Sequence, residues 1–117
     1  MKTATHTNPK AQRLVIGISG ASGTIYGVRA LEMLRATPVE THLVLSKAGE
    51  MTASYETDLR SSDIRALADH NYAIGDVGAA ISSGSYQTMG MLIAPCSVKT
   101  MSEIATGVTS TLLTRAA

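Results

Sequence analysis

Two short stretches hold the residues best suited to binding a small anionic ligand. The first is Gly17-Ile18-Ser19-Gly20-Ala21-Ser22-Gly23, between an apolar run and a helical pattern. Glycines let a ligand approach the backbone closely, and the start of a helix offers N–H groups to an anion. The spacing is G-x-x-G-x-x-G, not the dinucleotide G-x-G-x-x-G. The second apolar run ends in Ser46-Lys47, where an NAD-binding fold would offer Asp or Glu to a ribose. A mononucleotide such as FMN fits this pattern better than NAD, with Ser46 as a hydroxyl ligand. A tight turn without a ligand is the competing reading.

The second stretch is Ala94-Pro95-Cys96-Ser97-Val98-Lys99-Thr100. Ser97, Lys99, Thr100 and a helix start make a phosphate or flavin-edge site. It is not a P-loop, because Val98 stands where a glycine should precede Lys99-Thr100. Taken alone it also reads as a helix cap with an exposed lysine. Glu56, at the end of a predicted helix, could act as a base or stabilise a cation, or be a solvated helix-end acid. Cys96 reads as a buried structural thiol rather than a nucleophile. His6, His42 and His70 show no metal-ligand spacing, so the sequence predicts no metal. Met89, Met91 and Met101 are expected to fill core or subunit contacts.

The elements that position these residues alternate between strand and helix. Residues 14–19 read as a strand, 25–35 as a helix with Ile25, Val28, Leu31 and Leu34 at helical spacing, and 40–46 as a second strand. A helix is expected over 47–57, and a short one over 64–69 with Asp63 as its N-cap. Residues 70–88 give no clear pattern beyond the Ser82-Ser83-Gly84-Ser85 loop signal. A third strand over 89–94 stops at Pro95. A helix over 97–105 ends before Gly107, and another begins at Thr109. This alternation implies an α/β domain around a parallel sheet with strands buried on both faces. Both candidate stretches then lie at carboxyl ends of strands and line one crevice. Residues 1–12 read as a flexible tail and 13–117 as the domain, with the pattern stopping in a helix as though the domain continued.

Composition narrows the class further. The 117 residues carry 10 Lys+Arg against 9 Asp+Glu, scattered along the chain, which argues against a nucleic-acid or polybasic membrane surface. At 44% hydrophobic and 16% charged, the chain is too apolar to stay disordered. No apolar run is long enough to span a membrane. A single cysteine excludes an internal disulfide and fits a reducing compartment, here the cytoplasm. With four Tyr and no Phe or Trp, the core lacks large aromatic anchors, and an oligomer or more chain would help it.

The segments Val15–Gly23, Ile25-Tyr26-Gly27, Thr41–Lys47, Ser82–Ser85, Ala94–Thr100 and Leu112–Ala117 together resemble the flavin prenyltransferases, formerly called aromatic acid decarboxylases. The resemblance covers Leu14 to Ala117 and rests on several motifs in order. It implies a Rossmann-like, flavodoxin-like subunit that binds FMN and assembles into a dodecamer. It also implies metal-independent transfer of a dimethylallyl group from dimethylallyl monophosphate to N5 and C6 of reduced FMN. The prenylated FMN would serve a separate decarboxylase, in bacteria often one of ubiquinone synthesis. By motif, Gly20, Ala21, Ser22, Ser46, Ser97, Val98, Lys99 and Thr100 would contact FMN. Ser22 would lie near the reacting flavin edge, Glu56 would be the active-site acid, and Gly84 would border the prenyl pocket. Members of the family continue past this length, and that part carries the residues that hold the prenyl phosphate. Alternatives are an FMN-binding module without catalysis and a related flavin-dependent decarboxylase. The latter carries an asparagine where Lys99 stands and needs a histidine base.

Overall fold

The computed structural model describes residues 12–72, 88–107, 113, 116 and 117. The β-branched run Arg13–Ile18 forms β1, and Thr24–Leu34 forms α1. Next come β2 (Glu40–Leu45), α2 (Lys47–Glu56) and α3 (Ser61–Arg65). A short β3 (His70–Tyr72), β4 (Gly90–Ile93) and α4 (Val98–Thr106) follow. The four strands pair in parallel in the order β3-β2-β1-β4. This is the expected Rossmann-like, flavodoxin-like α/β architecture, with β1 and β2 buried along nearly their whole length.

Alternation along the strands sorts the core into two layers. Ile16, Ile18, Leu43 and Leu45 face Val28 and Leu31 of α1, Ala53 of α2 and Ile64 of α3. On the opposite face Val15 and Val44 pack with Leu113, and Tyr72, Met91, Ile93 and Ala116 flank them. β1 lies between β2 and β4, so the chain leaves it in one direction for β2 and later returns on its other side. In open α/β sheets that reversal opens a crevice at the carboxyl ends of the strands.

The structure differs from the sequence expectations in several places. β3 was not expected, because three residues with exposed His70 and Asn71 leave no alternating pattern to read. It pairs through register with His42, Leu43 and Val44, and Asp69 secures its start by accepting from the Thr41 N–H at 2.8 Å. α3 begins at Ser61 rather than at residue 64. Arg60 is its N-cap, and Asp63 sits three residues on, where its carboxylate accepts from the Arg60 N–H at 2.9 Å in a capping box. Of the three methionines expected in core or subunit contacts, Met91 joins the core, and Met89 and Met101 are exposed on the single chain. Of the expected tail over residues 1–12, residues 1–11 lie outside the described residues, as does most of the expected last helix.

Gly27 lets α1 lie on the β4–α4 turn. A Cβ there would stand 2.2 Å from the Ala94 carbonyl oxygen and 2.9 Å from Ile18 Cδ1. Helix propensity alone favours Gly27→Ala by about 1 kcal/mol. The clash is expected to outweigh that gain, with a net loss of about 1–3 kcal/mol. Urea unfolding of the two proteins checks the sign, and a more stable alanine variant would show that the contact yields freely.

Candidate functional site

The turns after β1, β2 and β4 meet at one end of the sheet around a cavity of about 340 Å³. Ser19 and Gly20 line it from the first turn, and Ser46, Lys47 and Ala48 from the start of α2. Ser97, Lys99, Thr100, Glu103 and Leu113 complete the wall. Of the eight residues expected to contact a flavin, five line this cavity together: Gly20, Ser46, Ser97, Lys99 and Thr100. Ala21, Ser22 and Val98 do not line it. Gly84 lies outside the described residues.

Both helices that start at the cavity are capped by a serine. Ser46 Oγ accepts from the Gly49 N–H at 2.9 Å, and Ser97 Oγ accepts from the Thr100 N–H at 3.1 Å. An α-helix leaves its first four N–H groups without intrahelical partners, and each cap satisfies one of them. Two helix starts and the side chains of Lys47 and Lys99, against the one carboxylate of Glu103 among the lining residues, give the cavity a net positive character suited to a phosphate. Lys99 is exposed, and its Nζ lies 3.8 Å from Glu103 Oε2. A pair at that distance and exposure holds the ammonium weakly, so it can turn to a ligand.

Close backbone approach shapes the floor. A Cβ on Gly20 would stand 2.5 Å from Ala48 Cβ, and one on Gly49 would stand 2.7 Å from the Ile18 carbonyl oxygen. Thr52 Oγ1 donates to the Gly20 carbonyl at 3.0 Å. The glycine-rich turn thus packs on α2 as well as bordering the cavity.

Ser19 is the residue that sequence reasoning missed. It was read only as part of the turn, yet it is buried and joins that turn to the other candidate stretch. Its N–H and Oγ both donate to the Pro95 carbonyl, at 3.1 and 2.7 Å, while its Oγ accepts from the Ser97 N–H at 2.6 Å. A serine ending a buried strand, directly before a glycine, was the available signal. Nothing local names partners 76 and 78 residues away.

Ser22 and Glu56 sit together beside the start of α1. Glu56 Oε1 accepts from the Gly23 N–H at 2.9 Å and the Thr24 N–H at 3.2 Å. These two donors, with the Ser22 hydroxyl adding to them, hold the Glu56 carboxyl below its ordinary value of 4.5. Gly23 itself has φ +103°, a left-handed conformation open to glycine. Glu56 is therefore a carboxylate at neutral pH, able to accept a proton or face a cation.

Two expectations need correction. Cys96 is exposed, not buried, because it stands past Pro95 in the turn leading to α4, and its thiol has only a weak 3.6 Å contact to the Ser97 carbonyl. The histidines are not all isolated from other ligands either. Parallel pairing of β2 with β3 sets His42 opposite His70, and Glu40 lies two residues before His42 on the same face. Their ligand atoms all fall within 4.8 Å of one another.

Two outcomes follow from these contacts. Ser19→Ala leaves the Ser97 N–H without its acceptor and is expected to cost about 1–3 kcal/mol in chemical denaturation. Glu56 has a folded pKa below 4.5, so its stabilising contribution is complete above that pH and is lost as pH falls through the folded value. Thermal unfolding of Glu56→Gln should therefore differ from the parent at pH 7 and converge with it in acid. A pH-independent gap between them would show that the charge is not what matters.

Comparisons with known proteins assign the chain to a family. A family model described as Flavoprotein matches residues 2–117. Flavin prenyltransferase UbiX of Neisseria meningitidis is 56% identical over 106 residues, which is 91% of this chain and 56% of that protein. The chain therefore spans about half the length of the curated relatives it matches. A crystal structure of AnUbiX (PadA1) in complex with FMN and dimethylallyl pyrophosphate superposes with a TM-score of 0.90 at 44% identity, over 92% of this chain and 57% of that one. A dodecameric FMN-dependent UbiX-like decarboxylase from Escherichia coli O157:H7 superposes at 0.88, also at 44% identity, over 90% and 57%. With strand order, glycine turn and paired helix starts all in place, the match over residues 2–117 makes this chain a member of the Flavoprotein family.

Proposed function

We propose that this chain is the FMN-binding portion of a flavin prenyltransferase. The observation that carries the reading is the convergence of two serine-capped helix starts and the side-chain-free Gly20 on one cavity. That donor set fits a phosphate-bearing planar cofactor: N–H groups and Lys99 for the phosphate, Ser46 and Ser97 hydroxyls for polar edges. Ala21, Ser22 and Val98 adjoin these residues in sequence and belong to the same proposed binding surface. The 44% identical AnUbiX structure, which holds FMN and dimethylallyl pyrophosphate, supports the cofactor and the substrate class.

Bound and reduced, FMN would supply the nucleophilic N5 and C6 that accept the dimethylallyl group as its phosphate leaves. This chain's residues position and polarise. Ser46, Ser97, Lys99 and Thr100 hold the cofactor against the sheet. Glu56, kept ionised by the start of α1, orients the Ser22 hydroxyl and receives a proton or faces developing positive charge. Gly84 borders the prenyl pocket in this reading. The donor is dimethylallyl monophosphate, the product passes to a separate decarboxylase, and the reaction needs no metal. The active assembly is a homo-oligomer, in line with the dodecameric relative. The protein works in the cytoplasm; among the described residues no helix is long and apolar enough to cross a membrane.

The test is titration with FMN, and with NAD as control, followed by quenching of flavin fluorescence. Saturable FMN binding without NAD binding is expected. Replacing Ser46 or Ser97 by phenylalanine should weaken it at least on the order of tenfold, about 1.4 kcal/mol. Reduced, FMN-loaded protein is then mixed with dimethylallyl monophosphate or pyrophosphate. Prenylated flavin in the mass spectrum supports the transferase. FMN binding with both donors left intact supports a binding module instead, and a folded protein that ignores FMN ends the flavin reading.

A further inference from the structure

The opposite end of the sheet carries a second constellation. Glu40 opens β2, whereas Ser46 follows its last residue, so the strand's length separates this cluster from the cavity. On a strand, residues two apart share a face, and a register partner on the neighbouring strand stands beside them. Glu40, His42 and the paired His70 thus form a triangle on one face. His42 Nε2 lies 2.7 Å and His70 Nε2 lies 3.4 Å from Glu40 Oε1. Ligands at zinc bond lengths of about 2.0–2.2 Å in a tetrahedron stand about 3.3 Å apart, so the three ligand atoms already lie near that separation and reorientation of the rings would aim them at one ion. We propose that Glu40, His42 and His70 form a binding site for a divalent transition metal such as zinc.

The surroundings suit that role. A ligating histidine usually has its other ring nitrogen fixed by a hydrogen bond. His42 Nδ1 lies 2.8 Å from the Tyr72 hydroxyl. That hydroxyl can donate to Nδ1 when His42 Nε2–H points at Glu40, and accept from Nδ1–H when Nε2 turns to a metal. His42 is 1% exposed and His70 48%, which gives a fixed inner ligand and an open approach through the outer one. The two rings stack with centroids 4.5 Å apart, so His70 must tilt to aim its lone pair at the shared ion. Arg13 Nε stands 3.7 Å from the same Glu40 oxygen, so a bound cation would have to compete with the guanidinium for that carboxylate. Two imidazoles and one carboxylate favour zinc, cobalt or nickel over magnesium or calcium, with water completing the shell. Such an ion would clamp the three-residue β3 to β2.

Cobalt(II) is the probe, added to the chelator-treated 117-residue protein and followed by its visible absorption. One equivalent should give the bands of a four-coordinate N/O site, zinc should displace it, and either ion should raise the melting temperature. His70→Ala, at an exposed edge, and Glu40→Gln should each weaken cobalt binding on the order of 10- to 100-fold or more. Absence of a stoichiometric site in the folded parent overturns the proposal. So does binding that survives in both variants, because it would lie on other ligands. FMN titration of His70→Ala is independent of this result, since that residue lies at the far end of the strand from the cavity.

Discussion

The Ser19 side chain is the junction on which the candidate site depends. Its hydroxyl donates to the Pro95 carbonyl and accepts from the Ser97 N–H, so the end of β1 is locked to the start of α4. At 1% exposure the exchange takes place away from water, where an unmade hydrogen bond is costly. β1 is also the strand flanked by β2 and β4. Whatever fixes its carboxyl end fixes the positions of three turns at once.

Close packing completes that arrangement. Gly27 admits the Ala94 carbonyl, Gly49 admits the Ile18 carbonyl, and Gly20 admits Ala48. Each contact brings one helix or turn nearer the end of β1 than any side chain would permit. The result is a cavity bounded by backbone and small hydroxyls, with two helix starts aimed into it. A site of that kind recognises an anion by dipoles held in place before the ligand arrives, which lowers the reorganisation needed on binding.

Charge is distributed by the same logic. Glu56 caps α1 from the last residue of α2, so its charge rests where the helix dipole favours it. His42, which unlike Glu56 is buried, is treated oppositely. Burial lowers its pKa against the raising effect of its hydrogen bond to Glu40. The Glu56 carboxylate at the start of α1 stays charged at neutral pH and the buried His42 imidazole stays neutral. One end of the sheet gathers two helix starts and two lysines, and the other presents neutral nitrogen beside a carboxylate.

The sequence by itself determined what depends on near neighbours. Ser97 was legible as a helix start because a cap reaches only three residues ahead, whereas Ser46 read as the end of a strand and only the structure shows it capping α2. β1, β2 and β4 were legible because buried parallel strands need continuous apolar runs, and the glycine turn because its spacing is local. Strand alternation with helices then placed both candidate stretches at one edge of a sheet. Tertiary structure decided the contacts whose partners lie far apart in sequence. Ser19 meets Pro95 across 76 residues, Glu56 meets Gly23 across 33, and His42 meets the strand begun by His70 only through β2–β3 register. Cys96 emerged on the surface for the same reason: composition gives a thiol's average burial, but the path of the chain past Pro95 sets its actual exposure. Local patterns are written by backbone propensity over a few residues. Contacts between turns arise when packing fixes the ends of different strands side by side, and no short stretch of sequence contains both partners.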